Sequence, residues 1–491
     1  MDRSTGRPPE PSPGPSSITP DGPPDGPPDG LFDVPADVPG DPADGSTGSP
    51  ADAPGDPADV STGSPADAPR DPADVSTGGP AVTARGRYRD ALAVREFRAL
   101  FLSHMAAMLG TIMTQFALTV LVYRQTGSPL LSALVFTVAF VPYLFGGVLL
   151  SALVDRVPVR RLLVGCNLAT AALAAVMALP GLPVVAVLLA AFAIGLVGPV
   201  FAGARAAVLP RVLDGDVYIA GRSLFRLVAQ AAQVSGFALG GLLLVVVTPR
   251  TVLLIDTAAF LVSAAVLAAG VRVRPAASAG PAASLVRDSV GGLGRVFRVV
   301  RLRRVLVFGW AAPALAVAPE ALAAPYAELK GFGTLGLGLL MSALPVGTVL
   351  GEVLCLWIAS PQRRLRLIVP LALLMFAPQL GFGLWPGLPP AVALLVLSGM
   401  GLAHHLGLDA LLVDAAPERL LGRALSIQTS GLMFWQGVGF AVAGAAAQLV
   451  PPPVVVAASA ALGLALVTLL RPGRAAARTA PPPDVTSERS G

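Results

Sequence analysis

Four carboxylates stand inside stretches that otherwise carry almost no charge: Asp256, Glu320, Glu352 and Asp409. A carboxyl group in apolar surroundings is suited to taking up and releasing a proton. At 1.5 Å of helix per residue, Glu320 falls toward the outer end of its stretch, and Glu352 and Asp409 toward the inner end. Asp256, Glu320 and Asp409 are therefore candidates for proton coupling. His404 and His405 lie close to Asp409 in sequence, but adjacent helical residues point about 100° apart, so one metal ion cannot easily take both rings together with Asp409. The two cysteines, Cys166 and Cys355, fit apolar packing better than a disulfide framework or a metal site. No glycine-rich phosphate loop is present, so ATP is not expected to drive any step. No cofactor, no metal and no enzymatic activity are expected.

Uncharged polar side chains form a second set. Thr111, Thr114 and Gln115 fall in one apolar stretch, Gln230 and Gln233 in another, and Gln379, Gln428 and Gln436 in others further on. Each is costly in hydrocarbon unless it faces the interior of a helix bundle. Many glutamines with few charges suit a large, amphipathic or weakly charged small molecule, bound mostly by apolar and aromatic surface. For any one glutamine, a hydrogen bond between packed helices is an equally good account.

These residues need long apolar elements to position them, and the composition supplies little else. The chain is 54% hydrophobic and 13% charged, with a mean hydropathy of +0.70, the profile of an all-α polytopic membrane protein. Twelve spans are expected, near 99–123, 130–150, 162–180, 184–204, 224–247, 252–271, 305–325, 333–357, 367–385, 391–412, 425–448 and 453–470. Loops alternate in charge. One side holds nearly all the arginines after residue 84, and the other holds only Arg124, Arg250 and Lys330. Basic loops stay inside, so both termini are expected in the cytoplasm and the chain in the cell membrane. The outer loops are too short for a receptor fold.

Five regions follow. Residues 1–84 carry three arginines against fifteen acidic residues and repeat the pattern GDPADGSTGSPADAP; with so little apolar surface to bury, disorder is expected. Residues 85–271 and 305–470 form the two six-span halves. Between them, 272–304 is a basic cytoplasmic linker, with Leu293, Val296, Phe297 and Val300 near one helical face. It suits either a helix on the anionic inner leaflet or a solvated connection. Residues 471–491 form a second disordered tail. The overall pI near 9.7 reflects arginines that edge the membrane, and no nucleic-acid partner is expected.

The most specific local pattern is the run from Ser151 to Arg161 between the second and third spans. Asp155, Arg156, Arg160 and Arg161 resemble the loop motif of the major facilitator superfamily, with Ser151 where that motif begins on glycine. An acid beside arginines at a membrane edge can latch one helix end to another and release it as the bundle rocks; orientation alone explains Arg160 and Arg161 equally well. The stretches beginning at Arg95, Gly198 and Pro417 also resemble the twelve-span drug and siderophore exporters of that superfamily. The resemblance covers roughly 95–470. It implies two six-helix bundles with pseudo-two-fold symmetry rocking about a midplane site, and export of an amphipathic compound by a monomer that exchanges it for protons. Thr114, Gln115, His404 and His405, on spans that line the cavity in that architecture, become candidates to face it, with Gln230, Gln233 and Gln436. Two departures bear on coupling: the fifth span lacks the proline of the antiporter pattern, at Gly236-Phe237, and Thr111 follows Gly110 where an aspartate is common. An importer or facilitator of the same fold, or a membrane scaffold using the acidic tail, are the alternatives.

Overall fold

The computed structural model describes residues 80–144, 157–274, 294 and 296–470. The chain is all-helical there. Asp155, Arg156, the acidic repeats, residues 275–293 and the C-terminal tail lie outside the described residues.

A short helix α1 (Pro80–Ala93) leads into α2 (Arg95–Thr126), α3 (Pro129–Phe140), α4 (Val159–Met177), α5 (Val184–Val208), α6 (Gly215–Val246) and α7 (Pro249–Gly270). After the linker come α8 (Val300–Ala316), α9 (Ala318–Ala321), α10 (Ala323–Leu329), α11 (Gly333–Ile358), α12 (Pro361–Phe376), α13 (Leu388–Gly401), α14 (His404–Ala415), α15 (Glu418–Ala446) and α16 (Pro452–Leu470). Ten helices or helical stretches are long and apolar enough to cross a membrane among the described residues. The described part of the expected second span, α3, is shorter than the others.

The turns follow local chemistry. A serine or threonine before proline starts three helices: Ser128, Thr248 and Ser360 each accept a backbone N–H of the first turn, and proline follows at the first helical position. Gly127 ends α2 with φ 62°, a conformation that glycine adopts without steric cost.

The expected seventh, ninth and tenth spans are not single α-helices. Residues 300–329 break at Val317 and Leu322, where Pro319 and Pro325 open the next short helices. Proline lacks the N–H that would continue the ladder, and its ring crowds the carbonyl four residues back. After α12 the chain tightens into a 3-10 helix, Ala377–Leu384, which ends at Trp385 with φ 56°. Lys330 Nζ donates to the Trp385 carbonyl at 2.7 Å, and Tyr326 donates to that of Pro386 at 2.6 Å, pinning this turn. The tenth stretch breaks between Gly401 and His404.

Helix α2 packs on α6 and α7, α4 on α5 and α7, and α3 on α5; later in the chain α8 packs on α15 and α16, and α12 and α11 on α13. The most extensive of the pairs that join the earlier helices to the later ones are α6 with α11 and α3 with α15. Glycine permits the first. A Cβ on Gly241 would lie 2.7 Å from the Gly338 Cα, and one on Gly338 would lie 2.8 Å from the Gly241 Cα, so the two backbones touch. In the second, Phe440 stacks on Phe136 and Phe140 with centroids 4.7 and 5.7 Å apart, and Thr137 donates to the Gly437 carbonyl at 3.0 Å. Gly236 and Gly240 seat Ile112 and Phe116 of α2, and Gly347 and Gly351 meet the α13 backbone.

One apolar cluster spans both sets of helices at the arginine-poor end, running from Phe116, Phe136 and Phe237 to Leu340, Leu395 and Phe440. Toward the arginine-rich end the core divides, into one cluster within residues 91–271 and another within 296–467. The apolar core is shared at one end and divided at the other.

Candidate functional site

The coupling candidates sit in three different settings. Asp256 on α7 is 3% exposed and accepts a hydrogen bond from the hydroxyl of Thr114 on α2. Its other oxygen, Oδ1, is buried with no hydrogen-bond partner among the described residues, and a Cβ at Gly110 would collide with it. The absence of a side chain at Gly110 therefore lets the carboxylate press into the α2–α7 seam. No cation pairs with it among the described residues. Glu320 lies on α9 at the break in the seventh stretch, partly exposed and without a hydrogen bond or ion pair among the described residues. Asp409 is exposed on α14, one turn beyond His405.

The structure brings Asp409 near a group that the sequence did not assemble. On α11, Glu352 accepts from Nε2 of His405 at 3.1 Å and lies 3.7 Å from Arg226 of α6. Asp409 is within Coulombic range of all three. This cluster ties α6 to α11 and α14 at the arginine-rich end of the same α6–α11 pair whose glycines meet at the other end.

The glutamines divide by partner. Gln115, Gln230, Gln233 and Gln436 are partly exposed, and their side-chain amides make no hydrogen bond among the described residues. Gln379 is fully buried and donates to Ser398 at 2.8 Å, which in turn donates to the Met375 carbonyl at 2.6 Å, so it serves packing. His404 corrects its expected placement. It is 2% exposed, edge-on to Phe308 and hydrogen-bonded to the Gly401 carbonyl, so it belongs to the core, because the break after Gly401 turns its ring inward. Thr114 is likewise buried, as the partner of Asp256. His405 remains partly exposed at the split end.

Of the loop motif, Arg160 and Arg161 are described. Arg160 donates to the Ala268 carbonyl at the end of α7, and Arg161 is exposed. Nearby, Glu96 at the start of α2 accepts from the Arg272 backbone N–H and both terminal nitrogens of Arg274. That hydrogen bonding raises Arg274 above the ordinary guanidinium value. Arg301 pairs with Asp414 at 2.7 Å. No group of three or more metal-ligating side chains comes together among the described residues.

Long apolar helices are joined by close cross-pairs, and four glutamine amides are unbonded among the described residues. The family model described as Major Facilitator Superfamily matches residues 100–407. The chain belongs to the Major Facilitator Superfamily. As a member of that transporter family it is a multi-pass membrane protein, and solved transporters share its fold at low identity. A crystal structure of the nucleoside transporter NupG, a D323A mutant, superposes with a TM-score of 0.63 at 11% identity, covering 77% of this chain and 99% of that one. The peptide transporter POT in complex with sulfate gives 0.60 at 14%, with 79% and 99% covered. The D-xylose-proton symporter gives 0.58 at 13%, with 76% and 96% covered. No curated protein sequence matches significantly. The nucleoside, peptide and sugar named for these three have little chemistry in common, so what this facilitator shares with them is architecture.

Proposed function

We propose that this facilitator is a proton-coupled exporter of a small amphipathic compound, working by alternating access. The observation that carries the reading is the set of partly exposed amides on Gln115, Gln230, Gln233 and Gln436 that make no hydrogen bond among the described residues. Amides without internal partners are available to a ligand or to water, whereas a merely structural glutamine would be bonded as Gln379 is. The split core beside them supports an opening at the arginine-rich end, which the positive-inside rule assigns to the cytoplasm together with both termini. The packing of α2 on α6 and α7, repeated by that of α8 on α15 and α16, supports two pseudo-symmetric six-helix bundles and twelve spans in all.

Asp256 is the preferred proton carrier, because its Oδ1 is buried without a hydrogen-bond partner and its carboxylate is in no ion pair among the described residues. Glu320, at a helix break, is the second, and Asp409 the third. The motif at Asp155, Arg156, Arg160 and Arg161 would serve as the latch at the cytoplasmic edge.

The test is accumulation of lipophilic drugs and siderophores in efflux-deficient cells expressing the chain, with and without a protonophore. Lowered accumulation that the protonophore abolishes is expected; raised accumulation would establish uptake instead. In Asp256→Asn the pH dependence of transport should flatten. Full retention of that dependence would remove Asp256 from the mechanism.

A further inference from the structure

Among the described residues, one half-buried cation has no acid beside it. Arg205, near the end of α5, donates from Nη1 to Nδ1 of His104 on α2. Its guanidinium carbon lies 4.7 Å from the centre of the Phe225 ring on α6, and that ring stands edge-on to His104 at 5.1 Å. The Tyr143 hydroxyl lies within Coulombic range, and its ring closes over Gly198 of α5, where a Cβ would come 3.1 Å from the hydroxyl oxygen. His104 is 4% exposed and Arg205 half-buried. Arg87, Arg226, Arg274 and Arg301 each meet a carboxylate, but among the described residues none pairs with Arg205.

A guanidinium kept in a largely apolar corner is costly until an anion meets it, and its planar fork fits a carboxylate in two parallel hydrogen bonds. One terminal nitrogen is spent on His104, and the other makes no hydrogen bond among the described residues. Because a guanidinium can only donate, Nδ1 of His104 accepts and the ring hydrogen lies on Nε2. His104 thus fixes the direction of the fork without adding a second positive charge, and Phe225 stacks beneath it.

We propose that Arg205, oriented by His104 and Phe225 and faced by Tyr143, receives a carboxylate group of the transported compound. This rests on the transport reading above and narrows its substrate class to amphipathic monoanions. The apolar body lies along the amide-lined interior and the acid group sits on the arginine.

The test uses the full chain in lipid nanodiscs and a matched pair of probes, 1-naphthylacetate and its neutral amide, with dissociation constants from calorimetry. A charge-assisted bond in this setting predicts that the acid binds about 10- to 100-fold more tightly than the amide. Arg205→Gln should bring that ratio close to one. Arg205→Lys, which keeps charge but loses the fork, and His104→Gln, which frees the fork, should each fall between. These two carry the test if Arg205→Gln does not fold. Equal binding of acid and amide by the unaltered chain, absence of binding included, overturns the proposal, as does a preference that survives Arg205→Gln. A preference that emerges only in Asp155→Asn also overturns it, because the chain's own acid would then hold Arg205. Movement of the same probes in proteoliposomes separates the two readings. Transport of the amide with no acid preference defeats this corner and leaves the transporter; acid-selective binding that needs Arg205, with neither probe transported, keeps the corner and defeats the transport reading for this class.

Discussion

Replacing Gly338 by alanine should drive the molecule out of the arrangement seen here. A Cβ at that position meets the Gly241 Cα at 2.8 Å and the Phe237 carbonyl at 2.9 Å, while ordinary contact begins at 3.4 Å. Both obstacles are backbone atoms of α6 and cannot rotate away, so α6 and α11 must separate by roughly half an ångström, a strain of about 1–3 kcal/mol by analogy with overpacked cores. The contact is made at the arginine-poor end, where the apolar cluster joins the two sets of helices. If that crossing opens when the other end closes, the strain falls on one state only and shifts the balance about 5- to 150-fold. Spin labels on the exposed Arg161 and Arg363 positions, in a chain with Cys166 and Cys355 replaced, would report the separation of the arginine-rich ends by double electron–electron resonance. The expected result is a shorter principal distance in Gly338→Ala. An unchanged distance distribution in a protein that still folds would refute the reasoning.

Phe440→Ala should act on the α3–α15 pair, losing its stacking on Phe136 and Phe140, and lower stability by about 3–5 kcal/mol in thermal unfolding in detergent. Ser398→Ala leaves the buried Gln379 amide without its nearest acceptor, a loss of about 1–3 kcal/mol in the same measurement. Glu352→Gln, by contrast, removes an ion pair whose Arg226 side chain is 60% exposed and still offers His405 an amide oxygen to donate to, so the loss should stay near ~1 kcal/mol and shrink further in high salt. Double substitution of Gln230 and Gln233 by leucine should leave unfolding temperature nearly unchanged while weakening substrate binding, since their amides make no hydrogen bond among the described residues.

Much of the architecture was legible before any coordinates. Apolar runs long enough to span a bilayer, the alternation of arginine between loops and the residues around Asp155 were sufficient for the membrane class and the family, because hydrophobic length and charge placement are one-dimensional properties. Gly236 and Gly240, and Gly347 and Gly351, each stand four residues apart, a spacing that lets helices approach closely, and each is packed against a neighbouring helix. Hydropathy is blind, however, to a break inside an apolar run. The interruptions at Val317, Leu322 and Leu402 preserve apolar character while changing direction, and one of them turned His404 into the core.

What tertiary structure alone decided is partnership. Sequence distance separates Thr114 from Asp256, His104 from Arg205, and Arg226 from Glu352 and His405, and no periodicity within one helix reveals which face meets which neighbour. The composition required that polar groups in the apolar runs find partners or an interior surface. Only the packing of α2, α5, α6 and α7 determined which acid would be bonded by a threonine and which arginine would face an aromatic ring with no acid beside it among the described residues.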